Sequence, residues 1–141
     1  MKPHQRYSDA HKLGFEKQYP QAAQSGHYFK PSMPDCRTAN GLTQSIVKFL
    51  TWNGWYANRI SSAGRKIGDK WIHGTTKKGT ADLHLIIKGV HISAEIKIGA
   101  DRMSEYQHLE KQRVEKAGGK YWIIKTFEDF LEKFDSLFVS L

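Results

Sequence analysis

Leu42, Ile46, Phe49 and Leu50 recur at the three-and-four spacing of a helix face, which predicts a helix over residues 40–53 stopped by Gly54. Residues 55–62, aromatic and β-branched, read as a strand. Residues 81–98 read as two strands joined at Lys88-Gly89. With that turn Ile87 faces Val90, Leu85 faces Ile92, Leu83 faces Ala94 and Ala81 faces Ile96. Every member of this set is apolar, so it makes a core face. The opposite face carries Asp82, His84, Ile86, His91, Ser93, Glu95 and Lys97, and a slip of one residue would mix the two sets. Residues 104–117 form a second helix, with Tyr106, Leu109, Val114 and Ala117 on its inner stripe and Gly118-Gly119 at its end. A strand over residues 120–125 follows. Thr126 caps a last helix in which Phe127, Phe130, Leu131, Phe134, Leu137, Phe138 and Leu141 repeat at the helical period. The order helix-strand-strand-strand-helix-strand-helix gives a mixed α/β (α+β) domain around a mixed sheet of about four strands.

Two stretches lack such patterning. Residues 1–37 are polar and read as an N-terminal arm, loosely ordered or draped on the domain, with one short helix near residues 8–17, leaving residues 38–141 as a single domain. Residues 63–80 read as a long loop holding Gly64, Gly68, Gly74 and Gly79. From residue 59 to 78 the cations Arg59, Arg65, Lys66, Lys70, Lys77 and Lys78 face a single acid, Asp69. A long loop inside a compact domain is often functional.

Composition narrows the function classes. The chain has 141 residues, enough for one core, and a formal net charge of +8. Glu128, Asp129, Glu132 and Asp135 stand against Lys133 at the C-terminal end, so the positive excess lies upstream and attracts polyanions. Cys36 stands alone, which excludes an intramolecular disulfide framework and a cysteine-based zinc finger. With no long apolar run, the expectation is a soluble, intracellular protein with no membrane partner.

The candidate chemistry lies on the polar face of the hairpin. Asp82 falls directly across from Glu95, and Lys97 shares their face two residues on. Two carboxylates so close repel unless a proton or cation sits between them. Mg²⁺ (or Mn²⁺ as a substitute) suits the gap, with the Ile96 backbone carbonyl as a further ligand and Lys97 placed to hold a phosphate oxygen or the attacking water. The competing reading is a cross-strand ion pair on an exposed sheet. Gln107 completes a capping box with Ser104. His84 and His91 fall near each other without a third ligand. Arg59, Lys77 and Lys78, then Arg65 and Lys66, are the expected phosphate contacts, and Trp71 is the aromatic expected to meet a nucleobase or sugar.

Gly79-Thr80-Ala81-Asp82, a short strand and Glu95-Ile96-Lys97 together resemble the PD-(D/E)xK nuclease superfamily. Ser104-Glu105-Tyr106-Gln107 and Gly118-Gly119-Lys120-Tyr121-Trp122-Ile123-Ile124 are similar to its VRR-NUC branch. Arg59-Ile60-Ser61-Ser62-Ala63-Gly64 is similar to archaeal-type Holliday-junction resolvases. The resemblance implies a restriction-endonuclease-like core and a Mg²⁺-dependent DNA endonuclease, with branched or duplex DNA as partner and the cytoplasm of a bacterial or phage-infected cell as location. Asp82 and Glu95 would be the metal-binding acids, Lys97 the catalytic lysine and Gln107 an auxiliary. It also makes a homodimer plausible, with Phe138 and Leu141 as contacts. Many members carry a Glu on the first helix, where residues 40–53 hold no acid, and Asn40, Thr43 or Gln44 would take its place. The alternative is a catalytically inactive nucleic-acid-binding module of the same fold.

Overall fold

A computed structural model describes residues 1–61, 64–74 and 76–139. Helices α1 (Pro3–Gln18), α2 (Pro20–Gln24) and α3 (Ala39–Trp52) come first. Strands β1 (Tyr56–Arg59), β2 (Arg65–Ile67), β3 (Lys70–Ile72), β4 (Leu83–Ile87) and β5 (Val90–Ile96) follow. Helix α4 (Glu105–Lys116), strand β6 (Lys120–Ile124) and helix α5 (Phe127–Ser136) complete the described chain. The result is a mixed α/β fold. Its sheet has four strands in the order β1-β4-β5-β6, antiparallel except for the parallel β5–β6 pair, and β2–β3 form a separate two-stranded ribbon. From α3 onward the element order is the expected one with this ribbon inserted.

The hairpin register follows the apolar pattern: Ile87 pairs with Val90, Leu85 with Ile92 and Leu83 with Ala94. Lys88 and Gly89 both have positive φ, the backbone that a tight two-residue turn between twisted strands demands. Leu83, Leu85, Ile87, Ile92, Ala94 and Ile96 are buried on one face with Trp122 and Ile124 of β6. Leu42, Ile46, Phe49 and Leu50 of α3 and Phe127, Phe130, Leu131 and Phe134 of α5 close the core over that face. Thr38 caps α3 and Thr126 caps α5, each accepting a bond from a backbone N–H three residues on.

Several expectations need correction. Residues 1–37 are not loosely ordered but packed on the domain, and the expected short helix is a long one. Helix α1 runs the length Pro3–Gln18 and belongs to the core, with Tyr7 fully buried and its ring 5.1 Å from that of Trp52. Arg6 holds Asp135 of α5 through paired bonds of 2.6 and 2.8 Å. The inner stripe of α1 is Tyr7, Ala10, His11 and Gly14, with the last two against Trp52. That stripe has helical spacing but little hydropathy, which is why it reads as polar. The expected loop over residues 63–80 contains the β2–β3 ribbon, while Ser62 and Ala63 lie outside the described residues. Helix α4 does not bury Tyr106 and Leu109, which are 53% and 47% exposed. Its half-buried positions are Gln107, Glu110, Lys111 and Val114, because the sheet face beneath it is polar. The last helix ends at Ser136, before Phe138 and Leu141; Leu141 lies outside the described residues. Phe138 folds back on Phe134, 4.9 Å between ring centres, and on Trp55. Among the described residues no helix is long and apolar enough to cross a membrane.

Candidate active site

Asp82 sits just before β4, where the chain bends into the sheet. Its carbonyl accepts a bond from Ile60 N–H at 2.8 Å, continuing the β1–β4 pairing past its last strand pair. Its carboxylate Oδ2 accepts from Ile96 N–H at 2.9 Å, taking the place that a ladder partner on β4 would have filled. The Asp82 side chain is therefore fixed at the end of β5. In an extended strand the carbonyl of a residue leaves on the same side as its N–H, so Ile96 offers its carbonyl toward Asp82 as well.

Glu95 is 4% exposed. Its Oε1 accepts from Gln107 Nε2 at 2.6 Å and lies 3.3 Å from Lys97 Nζ. Its Oε2 is buried and makes no hydrogen bond among the described residues. Burial first, and the neighbouring negative charge of Asp82 second, push its carboxyl up to about 7, with Lys97 opposing. Lys97 is 7% exposed and also approaches Asp101 Oδ2 at 3.7 Å. A buried carboxylate with one oxygen doubly held and the other bare is poised to accept a proton or a cation.

Gln107 serves two purposes. Its Oε1 accepts from Ser104 N–H at 2.9 Å while Ser104 Oγ accepts from Gln107 N–H, closing the capping box, and its amide nitrogen is left to hold Glu95. Gly79 sets the helix in place. Its φ is +84°, and a Cβ there would come 2.2 Å from the Tyr106 carbonyl oxygen. Only glycine lets the loop press against the first turn of α4. The same contact brings Lys77 and Lys78 to a cleft of about 350 Å³ that Asp82, Glu95 and Gln107 also line. The Lys78 ammonium lies over the Tyr106 ring at 5.2 Å.

The other expected residues lie elsewhere. Arg59 donates to Asn40 Oδ1 at 2.7 Å and lines a separate small pocket with Thr43 and Gln44. Thr43 spends its hydroxyl on the Ala39 carbonyl at 2.7 Å. Asn40, Thr43 and Gln44 are thus not among the residues lining the Asp82–Glu95 cleft. Arg65 and Lys66 stand on the ribbon, with Trp71 beside them. His84 and His91 meet at 5.2 Å between ring centres, and His91 shares a bond with Ser93.

Two buried groups escaped the sequence reading. Tyr121, paired with Ser93 on β6, has a buried hydroxyl without a hydrogen bond among the described residues; burial and then the charges of Glu95, Asp82 and Glu110 push its pKa upward. Glu110 Oε2 is also buried without a hydrogen bond, 3.6 Å from Arg113. The signal for Glu110 was its place three residues after Gln107 on a helix; Tyr121 is reached only through the parallel β5–β6 register.

Among the described residues no group of three or more His, Cys, Asp or Glu side chains is arranged to hold a metal ion. The pair Asp82 and Glu95 is a hard, all-oxygen donor set with one bare buried oxygen, which fits a small divalent cation whose remaining positions are filled by water. No family model, curated protein or solved structure matches this chain.

Proposed function

We propose that the chain is a Mg²⁺-dependent endodeoxyribonuclease of PD-(D/E)xK type that hydrolyses phosphodiester bonds. The observation that carries this reading is Glu95: a buried carboxylate, crowded by Asp82, with Lys97 and Gln107 on one oxygen and nothing on the other, in a cleft edged by Lys77 and Lys78. Asp82 and Glu95, with the Ile96 carbonyl, would hold the ion. When bound, Mg²⁺ supplies charge neutralisation and an acidified water.

The chain's own residues do the rest. Gln107 fixes Glu95 Oε1, so that carboxylate presents a defined oxygen. Lys97, already within 3.3 Å of Glu95, offers an ammonium to a non-bridging phosphate oxygen and offsets negative charge as it develops. Lys77 and Lys78 hold flanking phosphates without reading sequence. Asp101 Oδ2 lies 3.7 Å from the same ammonium and gives it a second negative neighbour.

A plasmid-nicking assay tests this. Wild type should convert supercoiled DNA with Mg²⁺ and not with EDTA, and Asp82→Ala should be inert. Intact plasmid under every condition, with binding retained, would support the second reading, a binding module without catalysis. That reading is favoured by one observation: α3 contributes no acid, and Asn40, Thr43 and Gln44 lie away from the cleft.

A further inference from the structure

The ribbon β2–β3 is the feature that cleavage chemistry leaves unused. Every one of its strand residues is exposed, so it has no buried side of its own. A two-stranded hairpin of this kind is marginal in water unless something lies against it. Its register says what that something is. Arg65 pairs with Ile72, Lys66 with Trp71 and Ile67 with Lys70, so each cross-strand pair sets a cation beside an apolar side chain. By alternation Lys66 and Trp71 share one face, and Arg65, Ile67, Lys70 and Ile72 share the other. A surface built for another protein concentrates apolar groups and is depleted in lysine. A cation beside every apolar group instead complements a polyanion that also offers flat apolar faces. That description fits a nucleic-acid strand with its bases unpaired.

The backbone under Trp71 supports the same conclusion. A Cβ on Gly64 would lie 2.6 Å from the Ile72 carbonyl and 2.8 Å from Trp71 Nε1, so glycine is what lets the chain pass against the indole. The ring is thereby braced on the backbone while the residue stays 58% exposed. A braced, exposed indole stacks at low entropic cost. The ribbon is also tied to the cleft. Thr76 Oγ1 donates to the Ser61 carbonyl at 3.2 Å, joining its two ends, and the chain runs on directly through Lys77 and Lys78 to Asp82.

We propose that the ribbon is a stacking clamp for unpaired nucleotides, with the Trp71 indole against a base and Arg65, Lys66 and Lys70 on the phosphates around it. The substrate class that follows is DNA with an unpaired segment beside the scissile bond. This rests on the DNA reading of the cleft, yet it is measured without cleavage.

In EDTA, wild type is titrated into two fluorescent duplexes, one carrying a short unpaired flap with 2-aminopurine in it and one fully paired. Wild type should bind the flap more tightly and quench the 2-aminopurine. Trp71→Ala should weaken flap binding by about tenfold or more and abolish quenching, with duplex binding changed less than about twofold. Trp71→Phe should keep most of the flap preference. Binding of the flap by wild type without quenching overturns the proposal, and that arm depends on no variant. Equal weakening of both duplexes by Trp71→Ala overturns it in favour of groove insertion, and loss of self-association in that variant overturns it in favour of a protein interface. Quenching without Mg²⁺-dependent cutting of the flap duplex would leave the clamp standing and remove the nuclease reading; cutting of that duplex without quenching would do the reverse.

Discussion

Glu95 is a buried acid beside a second acid, and the consequence for stability has a definite sign. Its folded carboxyl is raised to about 7 by burial and by Asp82, whereas in the unfolded chain it titrates in the ordinary carboxylate range. Between those limits the folded chain keeps a proton that the unfolded chain gives up. Without metal, stability should therefore fall as pH rises through that window and level off above it, by at most roughly 3 kcal/mol. Glu95→Gln removes the effect. Its melting temperature relative to wild type should climb between about pH 5 and pH 8 in EDTA. A constant difference across that range would mean that Glu95 does not titrate there. In the same cleft, Mg²⁺ should raise the melting temperature of wild type at the alkaline end and leave Asp82→Ala unmoved, since a divalent cation stabilises the form in which both acids are charged. Equal shifts in both proteins would assign the ion to some other place. That Asp82 and Glu95 come to one cleft was legible from the apolar register, whose last strand pair is Leu83 with Ala94. The bond from Ile96 N–H to Asp82 was not, because it depends on where β4 begins rather than on alternation.

Among the elements, α1 and α4 were the hardest to read, for opposite reasons. Helix α1 buries Tyr7 and Ala10 and sets half-buried Gly14 against Trp52 at helical spacing, but only one of these is a large side chain and it bears a hydroxyl. Tyr7→Ala should cost about 3–5 kcal/mol in urea denaturation, as for other large aromatic deletions. Tyr7→Phe should be neutral or slightly stabilising, because the phenolic oxygen is buried and makes no hydrogen bond among the described residues. A large loss with Phe would reveal a partner for that oxygen. Helix α4 shows the converse. Its two exposed apolar residues, Tyr106 and Leu109, suggested the wrong inner stripe, and the polar sheet face it covers selects Gln107, Glu110 and Lys111 instead. Its anchor is Gly79. Gly79→Ala meets both the positive φ and the Tyr106 carbonyl, so it should destabilise by about 1–3 kcal/mol and slow cleavage by letting Gln107 drift from Glu95. Wild-type stability in that variant would show that the loop and helix are not pressed together.

At the scale of the whole molecule, the sheet divides the work. One face is sealed by α3, α5 and α1 into the apolar core, and the other carries the acids, Lys97 and the histidine pair under α4. Arg65, Lys66 and Lys70 of the ribbon and Lys77 and Lys78 of the loop lead into the second face. Replacing Lys77 and Lys78 with Ala should weaken DNA binding generally and flatten its dependence on salt by up to about two units of slope. An unchanged slope would place both ammonium groups in bulk solvent. Net charge and the run of cations made this polarity visible in the sequence. The ribbon within the run was hidden because its Ile67, Trp71 and Ile72 alternate with lysines and arginine, a pattern that looks like a solvated loop until the strands are paired.

The most direct measurement of the central claim is anomalous scattering from a Mn²⁺-soaked crystal. The account predicts one peak at coordination distance from a carboxylate oxygen of Asp82 and from Glu95 Oε2, with Lys97 and Gln107 beside it. No peak there, with Asp82 still bonded to Ile96 N–H and Glu95 still held only by Gln107 and Lys97, would contradict it and leave the four residues as a structural network.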